Sequence, residues 1–282
     1  MRLATAICWI MLCVQLAWTH PGRPDSTGES KGFGLNPRLW WEFYDESMFF
    51  QRLDDNFISS SHTRAGVRVY GLPGITLTGY FMLRYGRDIQ RDYWNNRAEG
   101  GVGFRLRFFS KVFLALYGEY IQGRYLKIPE GYPQASDDNY SDFRGGLIFW
   151  YGWMPYGDGK IFAFPLKSWG DIYSDVTYFG SQRNNLIGYA HVKTGLQLLR
   201  FWKVSLDGYG VIYMAKDVNK DFWNNRVEIG PGVWVRPWTG LELKFYAEWL
   251  FGWYFGLEGE DPNPYGQKYR DRRIGVLFWL GI

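Results

Sequence analysis

From residue 33 onward the chain alternates apolar and polar side chains with a period of two, the rhythm of strands that present one face to an apolar medium and the other to a polar one. The clearest stretch places Leu241, Leu243, Phe245, Ala247, Trp249, Phe251 and Trp253 on one face. It places Glu242, Lys244, Tyr246, Glu248 and Gly252 on the other, with Leu250 the exception. This stretch is longer than the roughly 5–6 residues usual for soluble strands. Its apolar face carries Trp and Phe as an aromatic girdle would. The same rhythm predicts twelve strands, near 33–44, 62–72, 75–87, 96–108, 111–123, 139–152, 171–181, 187–200, 203–216, 224–236, 239–254 and 269–281. An even number is expected of a bacterial barrel with both ends in the periplasm. The fold expected for 33–282 is therefore all-β, a transmembrane antiparallel β-barrel in the outer membrane, with lipid as its first partner.

Connection lengths set the expected orientation. Periplasmic turns at 73–74, 109–110, 201–202 and 237–238 are short, and outer loops at 45–61, 88–95, 124–138 and 255–268 are mostly long and polar. Segment 153–170 breaks the rule, as a folded-in plug, an interfacial hairpin or a miscounted strand. At the other end, Arg2 followed by the largely apolar 3–17 and by Ala17-Trp18-Thr19 predicts a signal peptide over 1–19, cleaved near Thr19. Residues 20–32 read as a flexible periplasmic lead-in. Both cysteines, Cys8 and Cys13, fall in the signal segment, so the mature chain is expected to hold no thiol. Aromatic residues make up 20% of the 282 residues, yet mean hydropathy is −0.29. That combination suits a barrel and argues against a bundle of spanning helices. A net charge of +4 gives no nucleic-acid footprint.

A duplication is the most specific signal. Asp88-Ile-Gln-Arg-Asp-Tyr-Trp-Asn-Asn-Arg-Ala-Glu99 recurs 129 residues on as Asp217-Val-Asn-Lys-Asp-Phe-Trp-Asn-Asn-Arg-Val-Glu228. Each copy runs into a Gly-x-Gly strand, and each following strand carries an internal Glu, Glu119 and Glu248. In a closed barrel of twelve strands the copies stand half a circumference apart, related by a pseudo-two-fold axis. One reading makes Trp94 and Trp223 rim anchors at the lipid interface. Asn95, Asn96, Asn224 and Asn225 are then turn residues that tolerate left-handed backbone, and Arg97–Glu99 and Arg226–Glu228 are pairs on the inner wall. The other reading makes the paired loops, with Asp92 and Asp221, part of a polar, aromatic-lined binding track.

Alternation assigns the inner wall. Arg64, Arg68, Arg84, Arg97, Arg105, Arg107, Arg144, Lys193, Arg226, Arg236, Lys244 and Arg273 are expected inside, with Glu42, Glu99, Glu119, Asp207, Glu228, Glu242 and Glu248. Tyr70, Tyr80, Tyr117, Tyr209, Tyr213, Trp234 and Tyr246 add rings and hydroxyls. Such charges must pair or line water. The lumen is therefore either closed by ion pairs or a narrow wet pore suited to an anion or a sugar. No metal, cofactor or catalytic group is expected, because the three histidines (His20, His62 and His191) lack metal-ligand spacing. Outer-membrane phospholipases also use twelve strands, but their His-x-Ser arrangement is not matched by His62-Thr63-Arg64 or His191-Val192-Lys193. Carboxylate hydrolysis through Glu119 or Glu248 is the enzymatic alternative.

The phrases Asp92-Tyr-Trp-Asn-Asn-Arg-Ala-Glu-Gly-Gly-Val-Gly-Phe104 and Tyr117-Gly-Glu-Tyr120 resemble the C-terminal barrels of phage-adsorption protein A and related exopolysaccharide-export proteins. The resemblance covers mainly 88–123 and 217–256. It implies export or permeation of a bacterial polysaccharide or oligosaccharide, with Arg68, Arg84, Arg97, Glu99, Arg105, Tyr117, Glu119, Arg144, Lys193, Arg226, Glu228, Arg236, Lys244, Tyr246 and Glu248 along the path. It also implies periplasmic export proteins as partners, on a separate chain because no helical repeats precede the barrel. The competing expectation is a closed structural or adhesive barrel whose outer loops bind a partner.

Overall fold

The structure is a computed structural model that describes residues 38–53, 55–72, 74–90, 95–109, 112–126, 139–153, 167–182, 184–219, 224–238, 242–255 and 267–281. The expected signal peptide 1–19, the lead-in 20–32, most of 153–170, and Asp92, Trp94, Asp221 and Trp223 of the repeat lie outside them.

Twelve antiparallel strands form the wall: β1 (Arg38–Phe50), β2 (Asn56–Leu72), β3 (Ile75–Asp88), β4 (Arg97–Phe108), β5 (Phe113–Tyr125), β6 (Asn139–Trp153), β7 (Lys167–Phe179), β8 (Asn185–Phe201), β9 (Val204–Asp217), β10 (Arg226–Arg236), β11 (Glu242–Tyr254) and β12 (Lys268–Gly281). Each pairs with its neighbours in sequence, and β12 pairs back with β1, so the sheet closes without an edge. Closure satisfies the backbone groups internally, which is the condition for crossing a bilayer in strands. Apolar side chains cover the outside: Phe81, Leu83 and Ile274 are 72%, 63% and 62% exposed. On the same strands Arg84, Asp88, Asp271 and Arg273 turn inward, whereas Arg87, Arg270 and Arg272 face out. Among the described residues no helix is long and apolar enough to cross a membrane.

Most strand ends lie within three residues of the sequence expectation. The first hairpin departs further. β1 runs to Phe50, and β2 begins at Asn56, so the expected loop 45–61 shrinks to 51–55. Asp45, Glu46 and the serines near 60 look like loop residues in the sequence. In a barrel with a polar interior they are compatible with strand, and Glu46 Oε1 accepts the Tyr246 hydroxyl at 2.7 Å across the lumen side.

The duplication extends to the whole wall. Shifted by 129 residues, the ends of β1, β2, β3 and β5 fall on those of β7, β8, β9 and β11. A bulge between Arg68 and Tyr70 on β2 recurs between Gln197 and Leu199 on β8. The junction of β6 with β7, where Arg144 faces Phe179, has the register of the closing junction of β12 with β1, where Arg273 faces Phe50. The bulge corrects one inward assignment. An extra residue reverses the pleat, so Tyr70 pairs with Leu77 and stands on the outer face beside it.

Candidate functional site

The inner wall is built from two equivalent sets of ion pairs. In the first, Glu99 on β4 accepts Arg144 Nη2 at 2.6 Å, Arg84 Nη1 at 3.0 Å and the Tyr140 hydroxyl at 2.5 Å. Arg97 Nε lies 3.5 Å away. Arg144 also donates to Asp142 at 2.7 Å and packs over the Phe179 ring. In the second set, Glu228 on β10 accepts Arg273 and the Tyr269 hydroxyl at 2.7 Å, with Arg226 Nε 3.6 Å away. Arg273 donates to Asp271 at 2.8 Å and packs over Phe50. Each member of the first set except Arg84 has its counterpart in the second at an offset of 129 residues.

A second layer repeats in the same way. Glu119 on β5 accepts the Tyr80 hydroxyl at 2.8 Å and Arg64 at 3.3 Å. Glu248 on β11 accepts Tyr209 at 2.8 Å, Tyr213 at 2.8 Å and Lys193 at 3.1 Å. Tyr80 and Tyr209 lie against glycines on the next strand. A Cβ at Gly103 would meet Tyr80 Cζ at 2.8 Å, so only glycine admits the ring. His62 stacks on Tyr44 with centroids 5.2 Å apart, and His191 on Tyr173 at 5.4 Å. The Tyr246 bond to Glu46 has its counterpart in Tyr117, which shares a hydrogen bond of 2.5 Å with Thr177.

The halves differ toward the short-turn end. The second half packs Trp169 on Trp234 at 4.0 Å. The Trp234 Nε1–H donates to Asp207 at 2.5 Å, and Arg236 reaches the same carboxylate at 3.0 Å. Lys244 sits over the Trp234 ring at 4.6 Å and 3.0 Å from Glu242. In the first half Arg105 takes the place of Trp234 and lies 4.7 Å over Trp40, 3.9 Å from Glu42. Arg68 shares the inner face with Thr78 and is exposed at the end of the wall beside the bulge.

Burial decides what these groups can do. Glu99, Glu119, Glu228 and Glu248 are 4%, 1%, 0% and 1% exposed, and Arg144 and Arg273 are 2% and 4% exposed. Residues lining a water-filled bore would be reached by a water-sized probe. These are not; they are bonded to side chains up to three strands away, as Arg64 on β2 is to Glu119 on β5. Isolated charges so buried would cost several kcal/mol each, on the order given by ion desolvation. Reciprocal pairing and multiple donors offset that cost. Among the described residues, no cluster of three or more His, Cys, Asp or Glu forms a metal site.

The rim motif is also doubled, with a chemistry the sequence reading did not anticipate. The Asp88 N–H donates to Asn96 Oδ1 at 3.1 Å, and Asn95 Nδ2 donates back to the Asp88 carboxylate at 2.8 Å. The Asp217 N–H donates to Asn225 at 3.3 Å, and Asn224 Nδ2 to Asp217 at 3.0 Å. The described non-glycine residues with left-handed backbone are Asp55, Phe109, Asn184 and Trp202. The four asparagines therefore serve as side-chain clamps on the strand ends and not as left-handed turn residues. The signal for the full repeat was available: Tyr140-x-Asp142-x-Arg144 and Tyr269-x-Asp271-x-Arg273, His62 and His191, and Tyr44 and Tyr173 all share the offset.

No protein-family model matches the sequence. No curated protein is significantly similar to it. Among solved structures, the chain is similar to the β-domain of the Bordetella autotransporter BrkA, at 10% identity and a TM-score of 0.37, covering 86% of this chain and 98% of that one. It is similar to the translocator domain of the autotransporter NalP from Neisseria meningitidis, at 13% identity and a TM-score of 0.31, over 98% and 97% of the two chains. It is also similar to OmpT of Vibrio cholerae, at 9% identity and a TM-score of 0.31, over 86% and 97%. At such values the likeness carries no argument about function. The closed twelve-stranded barrel rests on its own strand pairing.

Proposed function

We propose that the protein is an outer-membrane barrel with an occluded lumen, a rigid scaffold that holds its outer rim and loops at the cell surface to bind a partner. One observation carries this reading: Glu99, Glu119, Arg144, Glu228, Glu248 and Arg273, at the centre of the inner wall, are buried in bonds to one another and to neighbouring side chains. The doubled Asp–Asn clamps support it, since they stiffen the rim at the two sites from which the repeated loops leave. The apolar exterior and edge-free closure support placement in the outer membrane.

The resemblance of 88–123 and 217–256 to exopolysaccharide-export barrels favours a polysaccharide channel instead. That function needs a clear bore, and the path residues Glu99, Glu119, Arg144, Glu228 and Glu248 would have to release their partners to open one. Planar-bilayer recording of the purified barrel separates the two. The scaffold reading expects no stable ionic current, and loss of partner binding when Trp94 and Trp223 are changed to Ala. Steady current that falls on addition of an oligosaccharide overturns it in favour of passage.

A further inference from the structure

Five outward polar positions on β1 and β2, Asp45, Ser47, Ser59, Ser61 and Thr63, break the apolar exterior. The register sets Phe43 opposite Thr63, Asp45 opposite Ser61, and Ser47 opposite Ser59. They face out because their neighbours in the chain face in: Glu42 bonds Arg64 at 2.8 Å, and Glu46 bonds Tyr246 at 2.7 Å. Apolar pairs bracket the patch along the strands, Phe49 with Phe57 on one side and Trp41 with Ala65 on the other. Asp45 and Ser61, flanked by Phe278 and Tyr85 on the neighbouring strands, thus lie within the lipid-facing band, one pair below the level of exposed Arg87. Ser47 and Ser59 satisfy each other at 3.0 Å, and Thr63 donates to the Glu42 carbonyl at 3.1 Å. The side chains of Asp45 and Ser61 have no hydrogen-bond or ion-pair partner among the described residues. A carboxylate and a hydroxyl facing hydrocarbon cost several kcal/mol on the order of unpaired polar groups in lipid.

The second half supplies an internal control. The residues 129 positions after Asp45, Ser47, Ser59, Ser61 and Thr63 are Ser174, Val176, Gly188, Ala190 and Val192. The barrel therefore does not need polarity at this place on its wall, and only one of its two equivalent walls has it.

We infer that the β1–β2 wall is the surface through which two copies of this chain pair side by side in the membrane. The acceptor Asp45 and the donor Ser61 sit on adjacent strands, on either side of the line between β1 and β2. A two-fold axis along the membrane normal, set against that line, exchanges the sides, so Asp45 of each copy meets Ser61 of the other and both orphans gain a partner. Strands about 4.8 Å apart and tilted about 40° place Ser61 roughly 3 Å above Asp45 along the membrane normal and Thr63 roughly 2 Å below it. The partner carboxylate thereby comes within reach of the Ser61 hydroxyl, the Thr63 hydroxyl being already committed to the Glu42 carbonyl. A lipid phosphate is a poor alternative occupant, because it would meet Asp45 with like charge.

The test uses the full-length chain expressed in its native membrane, with Cys8→Ser and Cys13→Ser so that no other thiol is present. A Ser61→Cys variant treated with a short bismaleimide is expected to yield a covalent product of twice the monomer mass. An Ala190→Cys variant, at the equivalent place on the other wall, is expected to yield at least tenfold less. Asp45→Val in the Ser61→Cys background removes the buried acceptor without harm to a lipid-facing strand, and is expected to lower the doubled product at least tenfold while heat-modifiable mobility stays that of a folded barrel. Three results overturn the proposal: no doubled product from Ser61→Cys, equal product from both cysteines, or a product that joins this chain to a different protein. A dimer yield unchanged by Asp45→Val overturns it as well.

Discussion

Replacing Arg273 by Met tests the occluded lumen by magnitude. The substitution keeps an unbranched apolar stem but removes the guanidinium from Glu228, from Asp271 and from the Phe50 ring. Glu228 then keeps only Arg226 Nε at 3.6 Å and the Tyr269 hydroxyl at 2.7 Å. Breaking a buried pair by removing one partner costs about 3–5 kcal/mol, because the other charge stays buried. The equivalent change, Arg144→Met, is expected to cost about 2–3 kcal/mol on the same scale. The difference has a named source: Glu99 keeps Arg84 at 3.0 Å, whereas the counterpart of Arg84 is Tyr213, which bonds Glu248 instead. Reversible urea unfolding of the barrel in lipid vesicles, followed by fluorescence of its 13 tryptophans beyond residue 19, reads both values. Costs below about 1 kcal/mol for both variants, the range of solvent-exposed pairs, would refute the reasoning and mean that water fills the interior. Arg144→Met costing as much as Arg273→Met would refute the assignment of the difference to Arg84.

Further outcomes follow from particular contacts. The double variant Arg84→Met/Arg144→Met is expected to destabilise by about 1–2 kcal/mol more than its single variants combined, since both cations serve Glu99, and the same unfolding cycle measures it. Trp234→Phe breaks the bond to Asp207 at 2.5 Å and the stack on Trp169, so it is expected to abolish an exciton couplet in circular dichroism and cost about 1–2 kcal/mol. Gly103→Ala forces Tyr80 off its strand and away from Glu119, with an expected loss of about 1–3 kcal/mol from overpacking, read by the midpoint of heat-modifiable mobility. Mass spectrometry of the secreted chain is expected to find its start within a few residues of Thr19.

The strand rhythm carried most of the fold, because a wall between lipid and a polar interior imposes alternation on every strand. It failed at β1, where Asp45 and Glu46 read as a loop: one of these charges bonds across the interior and the other faces outward, and neither arrangement is visible to a rule that treats charge as a sign of solvent. It failed at Tyr70, because a single bulge residue reverses the face of all that follows. The inner-wall residues Arg84, Arg97, Glu99, Glu119, Arg144, Lys193, Glu228 and Glu248 were legible as facing inward. Whether they pair or line water was not, since pairing joins strands whose relative heights depend on the stagger of the whole sheet. The repeat stood out where the loops conserve it, and its strand signature, Tyr140-x-Asp142-x-Arg144 against Tyr269-x-Asp271-x-Arg273, is too sparse to draw the eye. Elsewhere inner-wall substitutions such as Arg84 to Tyr213 and Arg105 to Trp234 hide equivalent positions.

The matching registers of the β6–β7 and β12–β1 junctions bear on how the chain is threaded. The seam that shuts the cylinder is manufactured a second time in its middle, with the same arginine laid on the same phenylalanine. A six-stranded module can therefore be shut by another like itself, and the order in which the two modules are written on the chain is not dictated by the wall they build. A circularly permuted gene opened within 154–166 and joined through the native ends would present the membrane with the same set of neighbours.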